Sequence, residues 1–276
     1  MKNKNEKTPI SFKIGLGIFI LIVLVSLFAN FLAPYDPFTQ IPEIRLSKPS
    51  SANLFGTDQY GRDILSRVIY GGRRTLAASL TALALTLIIG IFIGMISGFY
   101  GGLIDVFFMR LVDILSSFPF IVIAMLITSL VGGGFIQLLI TIISIKWIPF
   151  AKLTRSITLS TKNNTSIASA TLLGAKNSTI IVKELCPVVI MPNLTLATFE
   201  LGNMILSISA LSFFGLGAKP PIPEWGSMLS DAKAYFFQTP HIIFGPIIFI
   251  FLTVFSLNLI GESLREIKYP YDMPYI

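Results

Sequence analysis

Among 276 residues there is one cysteine and one histidine, and charged residues make up only 13% of the chain. A lone Cys186 closes no internal disulfide, and with His241 the only imidazole there is no Cys/His cluster to hold zinc or haem. An acyl- or phosphatidyl-transfer enzyme embedded in a membrane needs His, Asp or Ser clustered at helix ends, which a single histidine does not supply. The spacing G-x-x-x-x-G-K-[ST] occurs nowhere, and the near miss GAKNST at Gly174 to Thr179 is not a phosphate loop. ATP hydrolysis is therefore not expected of this chain, and no catalytic, cofactor or metal residue is assigned. The net charge of +7 is scattered between apolar blocks. It forms no basic stripe with interleaved aromatics, which excludes a nucleic-acid partner.

What is abundant is apolar: 53% hydrophobic residues and a mean hydropathy of +0.78. This is the composition of an all-α membrane protein. A bilayer core of about 30 Å takes about 20 apolar helical residues, and six nearly uncharged runs qualify. They are Ile14 to Ala33, Leu76 to Phe99, two within Ile114 to Ala151 broken by VGGG at Val131 to Gly134, Leu196 to Leu216, and Ile242 to Gly261. Lys146 is expected to snorkel from the inner end of the fourth. The opening MKNKNEKTPISFK and its apolar run resemble a secretory signal, but no convincing small-x-small cleavage site follows, so a retained anchor is expected. Six crossings put both termini on one side. Placing them in the cytosol leaves thirteen basic residues inside and eight outside, six of the eight in one long loop.

Two outer segments follow. Pro34 to Thr75 is rich in proline and polar residues and ends in an expected amphipathic helix from Gly61 to Tyr70 bearing Arg62, Asp63 and Arg67. AKPPIPEWGSMLSDAKAYFFQTP reads as a proline-stiffened hairpin with Trp225 at the membrane interface. Gly90, Gly94 and Gly98 repeat at every fourth position, which lets a partner helix approach closely, in this chain or another. Arg110 and Asp113 are spaced to pair at i,i+3. Glu200 is an acid near the inner end of the fifth run, either snorkelling or paired with a basic neighbour, or attracting a cationic substrate along a pathway. His241, at an outer helix mouth, is a lone interfacial histidine and a candidate passing contact for a metal.

Between the fourth and fifth runs lies the polar, jointed stretch ASATLLGAKNSTIIVKELCP. Thr165 or Ser166 can cap a first short helix in which Ile167, Ala170 and Leu173 share a face. Gly174 ends it, tolerating positive φ. Asn177 or Ser178 can cap a second, carrying Ile180, Ile181 and Leu185, with Lys183 and Glu184 polar and Pro187 as its stop. Such apolar faces on a polar loop fit a protein groove, or rest on lipid headgroups.

This loop resembles the cytosolic "EAA" motif of the inner-membrane permease subunits of ATP-binding-cassette importers, in the dipeptide, oligopeptide and nickel branch. Gly174 matches the central glycine, Ala170 the second alanine and Pro187 the proline thirteen residues on. NLFGTDQYGRDILSRVIYGGRRTL, GFYGGLIDVFFMRLVDILSSFPF, LSFFGLGAKPPIPEWGSML and NLIGESLRE are similar to the same branch. There are departures: the motif's glutamate falls on Ala168, its first alanine on Ser169, a frequent histidine on Glu184, and an acidic position of the fifth helix on Ile208.

The resemblance implies a type I permease fold of six transmembrane helices with a cytosolic coupling helix. Its parts are an anchor helix and outer loop (1–75), a permease core (76–262) and a cytosolic tail (263–276). It further implies residence in the cell membrane and three kinds of partner: a second homologous permease, two ATPase subunits that bind ATP and Mg, and an extracytoplasmic binding protein. Ala170, Leu173, Gly174, Ile180, Leu185 and Pro187 would form the element docking to an ATPase, with Lys176 and Lys183 near its rim. ATP-driven closure of the ATPases would move that element and switch which side of the pathway is open. Nickel, a metal chelate or short peptides are the implied cargo, with the short segment before the first helix leaning toward nickel. A gradient-driven secondary transporter would instead want inverted halves and several buried carboxylates. A channel would leave the jointed loop unexplained.

Overall fold

The computed structural model describes residues 9–131 and 134–268. Within them the chain is helical, and its long helices supply five spans, or six if one sharply bent pair is a single crossing. The helices are α1 (Ile10–Leu27), α2 (Ile64–Tyr100), α3 (Gly102–Ser116), α4 (Phe120–Val131), α5 (Phe135–Lys162), α6 (Thr165–Leu172), α7 (Asn177–Phe213), α8 (Trp225–Ala232) and α9 (Phe244–Lys268). The VGGG break falls partly on residues 132 and 133, outside the described residues.

Several boundaries move from their expected places. The amphipathic segment before the second run is not a separate helix. Asp63 caps it by accepting from Ser66 N at 2.7 Å, and the helix then continues unbroken for 37 residues to Tyr100. The 75/76 division thus lies inside α2. The expected third crossing corresponds to a bent pair of helices that starts at Gly102, and its two halves meet at 96°. Pro119 bars its predecessor from the helical region, so the chain turns there. Pro187 does not stop a helix, and the fifth run begins at Asn177. A widened π turn over Ile181–Leu185 precedes the proline and accommodates its missing N–H.

Lys146 closes the first part of α5, Phe135–Lys146, and after a one-residue break at Trp147 the helix resumes over Ile148–Lys162, so Lys146 ends a helical segment without ending the run. It is the twelfth residue of α5, which runs on to Lys162. The glycine stripe of α2 faces α5 of the same chain. A Cβ on Gly90 would sit 2.5 Å from Phe150 Cβ, on Gly94 2.8 Å from Thr154 Cβ and on Gly98 2.8 Å from Thr158 Cβ. Those spacings leave no room for a side chain, so these three glycines set the α2–α5 approach.

Outside the spans, the segment expected as the second outer loop is a structured cap and not a hairpin with Trp225 at an interface. Trp225 is completely buried, donating Nε1–H to Val68 O at 2.9 Å and packing on Phe249. Glu224 caps α8, accepting from Gly226 N at 2.8 Å and Ser227 N at 2.9 Å. The cap is tied to the first outer segment through buried charges. Arg62 reaches Asp58 at 2.6 Å and Asp231 at 3.9 Å, and Arg67 reaches Asp58 at 3.4 Å.

Candidate coupling element and intramembrane charges

The stretch between α5 and α7 is built as a hinge. Helix α6 ends with Gly174 at φ +77°, where Gly174 N donates to Thr171 O and Ala175 N to Ala170 O, both at 3.0 Å. These two reversed bonds are a Schellman closure, and they require the left-handed backbone that glycine adopts without a Cβ penalty. Neither predicted side-chain cap forms. Asn164 and Lys176 hold the cap positions with no side-chain bond. Ser166 instead donates to Glu184 Oε2 at 2.7 Å, clasping the two arms of the hinge together.

The apolar side chains of the stretch divide into two sets. Ile167, Ile180 and Leu185 are buried with Met95, Phe99 and Val189, against the end of α2. Ile180 and Leu185 are therefore anchors inside this chain and do not present themselves to a partner's groove, contrary to their expected role. Ala170 is half-buried beside them, and Pro187 is exposed. Exposed at the bend are Leu172 and Leu173, each 88% accessible, with Lys176 and Lys183 also exposed. Two adjacent leucines open to solvent on a polar loop form the apolar tip available to a neighbour. Periodicity pointed to Leu173 but missed Leu172, because the tip is made by the chain's reversal and not by one helical face.

Behind the hinge, α5 is locked to its surroundings by contacts the sequence did not announce. Arg155 donates through Nε and Nη2 to the two oxygens of Asp105 at 2.5 and 2.6 Å, and Ser97 donates to the same carboxylate. Lys162 donates to Phe99 O at 2.5 Å, at the end of α2. Asn193 of α7 donates to Thr154 of α5 at 2.9 Å. In contrast, Arg110 and Asp113 are exposed, and among the described residues they form no ion pair. The two lie on the outward side of α3, and Asp105 is the residue of that helix that meets a cation.

Deeper in the membrane region, Glu200 is 8% exposed and its Oε1 accepts from Asn203 Nδ2 at 3.2 Å. Lys146 of α5 holds its Nζ 4.5 Å over the ring of Phe120, and among the described residues it forms no ion pair with Glu200 within 4.0 Å. His241 is occupied, its Nε2 lying 3.0 Å from Ser47 O, so it ties the chain just before α9 to the segment before α2 and is not a free metal contact.

With this geometry in place, residues 90–270 match the family described as "Binding-protein-dependent transport system inner membrane component". Residues 11–49 match "N-terminal TM domain of oligopeptide transport permease C". The glutathione transport system permease protein GsiD of Pectobacterium atrosepticum is 36% identical over 255 residues, covering 92% of this chain and 85% of that protein. The proteins of the same name from Shigella dysenteriae serotype 1 and Escherichia coli O1:K1 are each 38% identical over 248 residues, covering 90% of this chain and 82% of theirs.

Proposed function

This chain belongs to the inner-membrane permease family of binding-protein-dependent transport systems, and we propose that it serves, with a second related permease, as the pathway of an importer for short peptides or glutathione-like compounds. It is a multi-pass membrane subunit and not an enzyme. Two separate ATPases would supply ATP hydrolysis with Mg, and an extracytoplasmic binding protein would deliver cargo to the outer cap.

One observation carries the coupling half of this reading: an apolar tip, Leu172–Leu173, is held out on a glycine hinge whose two arms are anchored on α2. A groove in an ATPase that gripped the tip would pull on α5 and α7 together, since both leave the same hinge. The hinge then lies in the cytosol, and both termini with it. The cargo half is supported by the relatives, which are named for glutathione transport and match nearly the whole chain. Those names favour the peptide arm of the branch over nickel.

The test is uptake by the complete importer in vesicles, with loaded binding protein outside and ATP inside, offering labelled glutathione, Ala-Ala or Ni²⁺ in turn. ATP-dependent accumulation of glutathione or Ala-Ala is expected. Accumulation of nickel alone would overturn the cargo assignment, and gradient-driven flux through this chain by itself would restore the secondary transporter.

A further inference from the structure

Two opposite charges, Lys146 on α5 and Glu200 on α7, stand at about the same depth in the membrane region. Lys146 is the twelfth residue from the start of α5 at Phe135, about 17 Å along the helix at 1.5 Å per residue. Glu200 lies thirteen positions before the end of α7 at Phe213, about 20 Å along it. In a hydrocarbon core of about 30 Å both are far from either headgroup layer. Charged side chains at that depth are costly, face a protein interior or a polar cavity, and mark substrate or ion paths.

From the contact of Asn193 on α7 with Thr154 on α5, at 2.9 Å, Glu200 lies seven residues on along α7 and Lys146 eight residues back along α5, both in the direction away from the hinge, so the two share a level, yet the pair is not closed. Among the described residues neither makes an ion pair within 4.0 Å. Lys146 is half-buried and leans on the face of Phe120, which satisfies none of its three donors as a hydrogen bond would. Glu200 engages one oxygen with Asn203, and its other oxygen has no protein partner among the described residues. A cation and an anion kept apart at one level, each with unused hydrogen-bonding capacity, match a ligand that carries both charges itself.

We propose that Lys146 and Glu200 form an intramembrane subsite for a zwitterionic substrate, Lys146 taking its carboxylate and Glu200 its ammonium group. This rests on the peptide reading of the function and narrows it to substrates with both ends free.

The experiment uses the purified complex of both permeases and both ATPases, without binding protein, and reads its thermal midpoint with millimolar Ala-Ala or with the doubly blocked N-acetyl-Ala-Ala amide. Ala-Ala should raise the midpoint of the native complex, and the blocked compound should not. Lys146→Met and Glu200→Gln should each lose the response to Ala-Ala, and Lys146→Arg should keep it. Where a single variant assembles poorly, the Lys146→Met/Glu200→Gln double variant removes the uncompensated charge, and it too should be silent. Equal response to both compounds, no response of the native complex, a response kept in the neutral variants, or loss of assembly in all three neutral variants would overturn the subsite. Uptake of Ala-Ala by the native importer separates the two failures. With uptake present and no thermal response only the subsite falls, whereas absent uptake removes the peptide function and the subsite with it.

Discussion

Arg155 of α5 grips Asp105 of α3 with two parallel N–H···O contacts of 2.5 and 2.6 Å, across fifty positions of sequence. The fork geometry matches a guanidinium to a carboxylate, and the pair is only part-exposed. Because α5 leads into the hinge, a pull on the hinge reaches α3 through this contact. Replacing Asp105 by asparagine keeps the shape but removes the charge, at a cost of roughly 1–2 kcal/mol after solvent screening. Asp105→Asn is expected to leave the permease pair assembled, while lowering the stimulation of ATP hydrolysis by loaded binding protein. Unchanged stimulation would show that α3 is a passive neighbour.

At Gly174 a built Cβ meets open space, so the effect of a substitution is one of backbone conformation and not of crowding. A β-branched side chain at φ +77° incurs a left-handed penalty of about 1–2 kcal/mol. Gly174→Val should therefore reduce ATPase binding or its stimulation, with normal recovery of the permease pair. Leu172→Ala and Leu173→Ala should act in the same direction by removing the exposed tip. Ile180→Ala should differ from them: it empties a buried site at a cost of about 2–5 kcal/mol and is expected to lower recovery of the protein itself. Equal recovery for all four variants would contradict the division into tip and anchors.

Lys162 is the last residue of α5, immediately before the hinge. The bond to Phe99 O places it at the carbonyl end of α2, where a cation contributes about 0.3–1 kcal/mol. Lys162→Ala should loosen the end of α2, read as faster amide hydrogen exchange in residues 95–100, and Lys162→Arg should restore protection. Exchange that is the same in Lys162→Ala as in the native chain would refute the contact.

The α2–α5 crossing allows no side chain at Gly94. Gly94→Val would force the two helices apart, a strain typically of 1–3 kcal/mol or more. The expected outcome is poor accumulation in the membrane, measured by quantitative immunoblot, whereas Gly17→Ala on α1, which meets nothing within 4 Å, should accumulate normally.

Burial raises the Asp231 carboxyl above its ordinary value, against the pull of Arg67 and Arg62. A raised folded-state value means that the protonated form favours the native cap. This contribution is complete below the unfolded value near 3.8 and is lost as pH rises through the higher folded one. Hydrogen exchange in α8 should thus quicken over that rise relative to the Asp231→Asn variant, in which the pH dependence should flatten. The opposite slope would mean that the arginines outweigh burial.

Legible in the linear pattern were the membrane class, the approximate positions of the apolar spans, the glycine stripe and the hinge at Gly174. Each of these is local: a run of apolar residues, a four-residue repeat, or a backbone angle that one residue type tolerates. Which apolar residues of the hinge face inward was set by packing, because periodicity shows that a face exists and not what covers it. Ile180 and Leu185 turned toward Met95 and Phe99, leaving Leu172 and Leu173 outside. Trp225, in a segment rich in proline, likewise found a core in α2 and α9 that no local pattern foretold. Partners far apart in sequence, such as Asp105 with Arg155 or Asn193 with Thr154, meet only after the helices reverse and pack. The cost of burying a charged or polar group then selects the pairs, and that cost is settled by three-dimensional surroundings that a linear pattern does not contain.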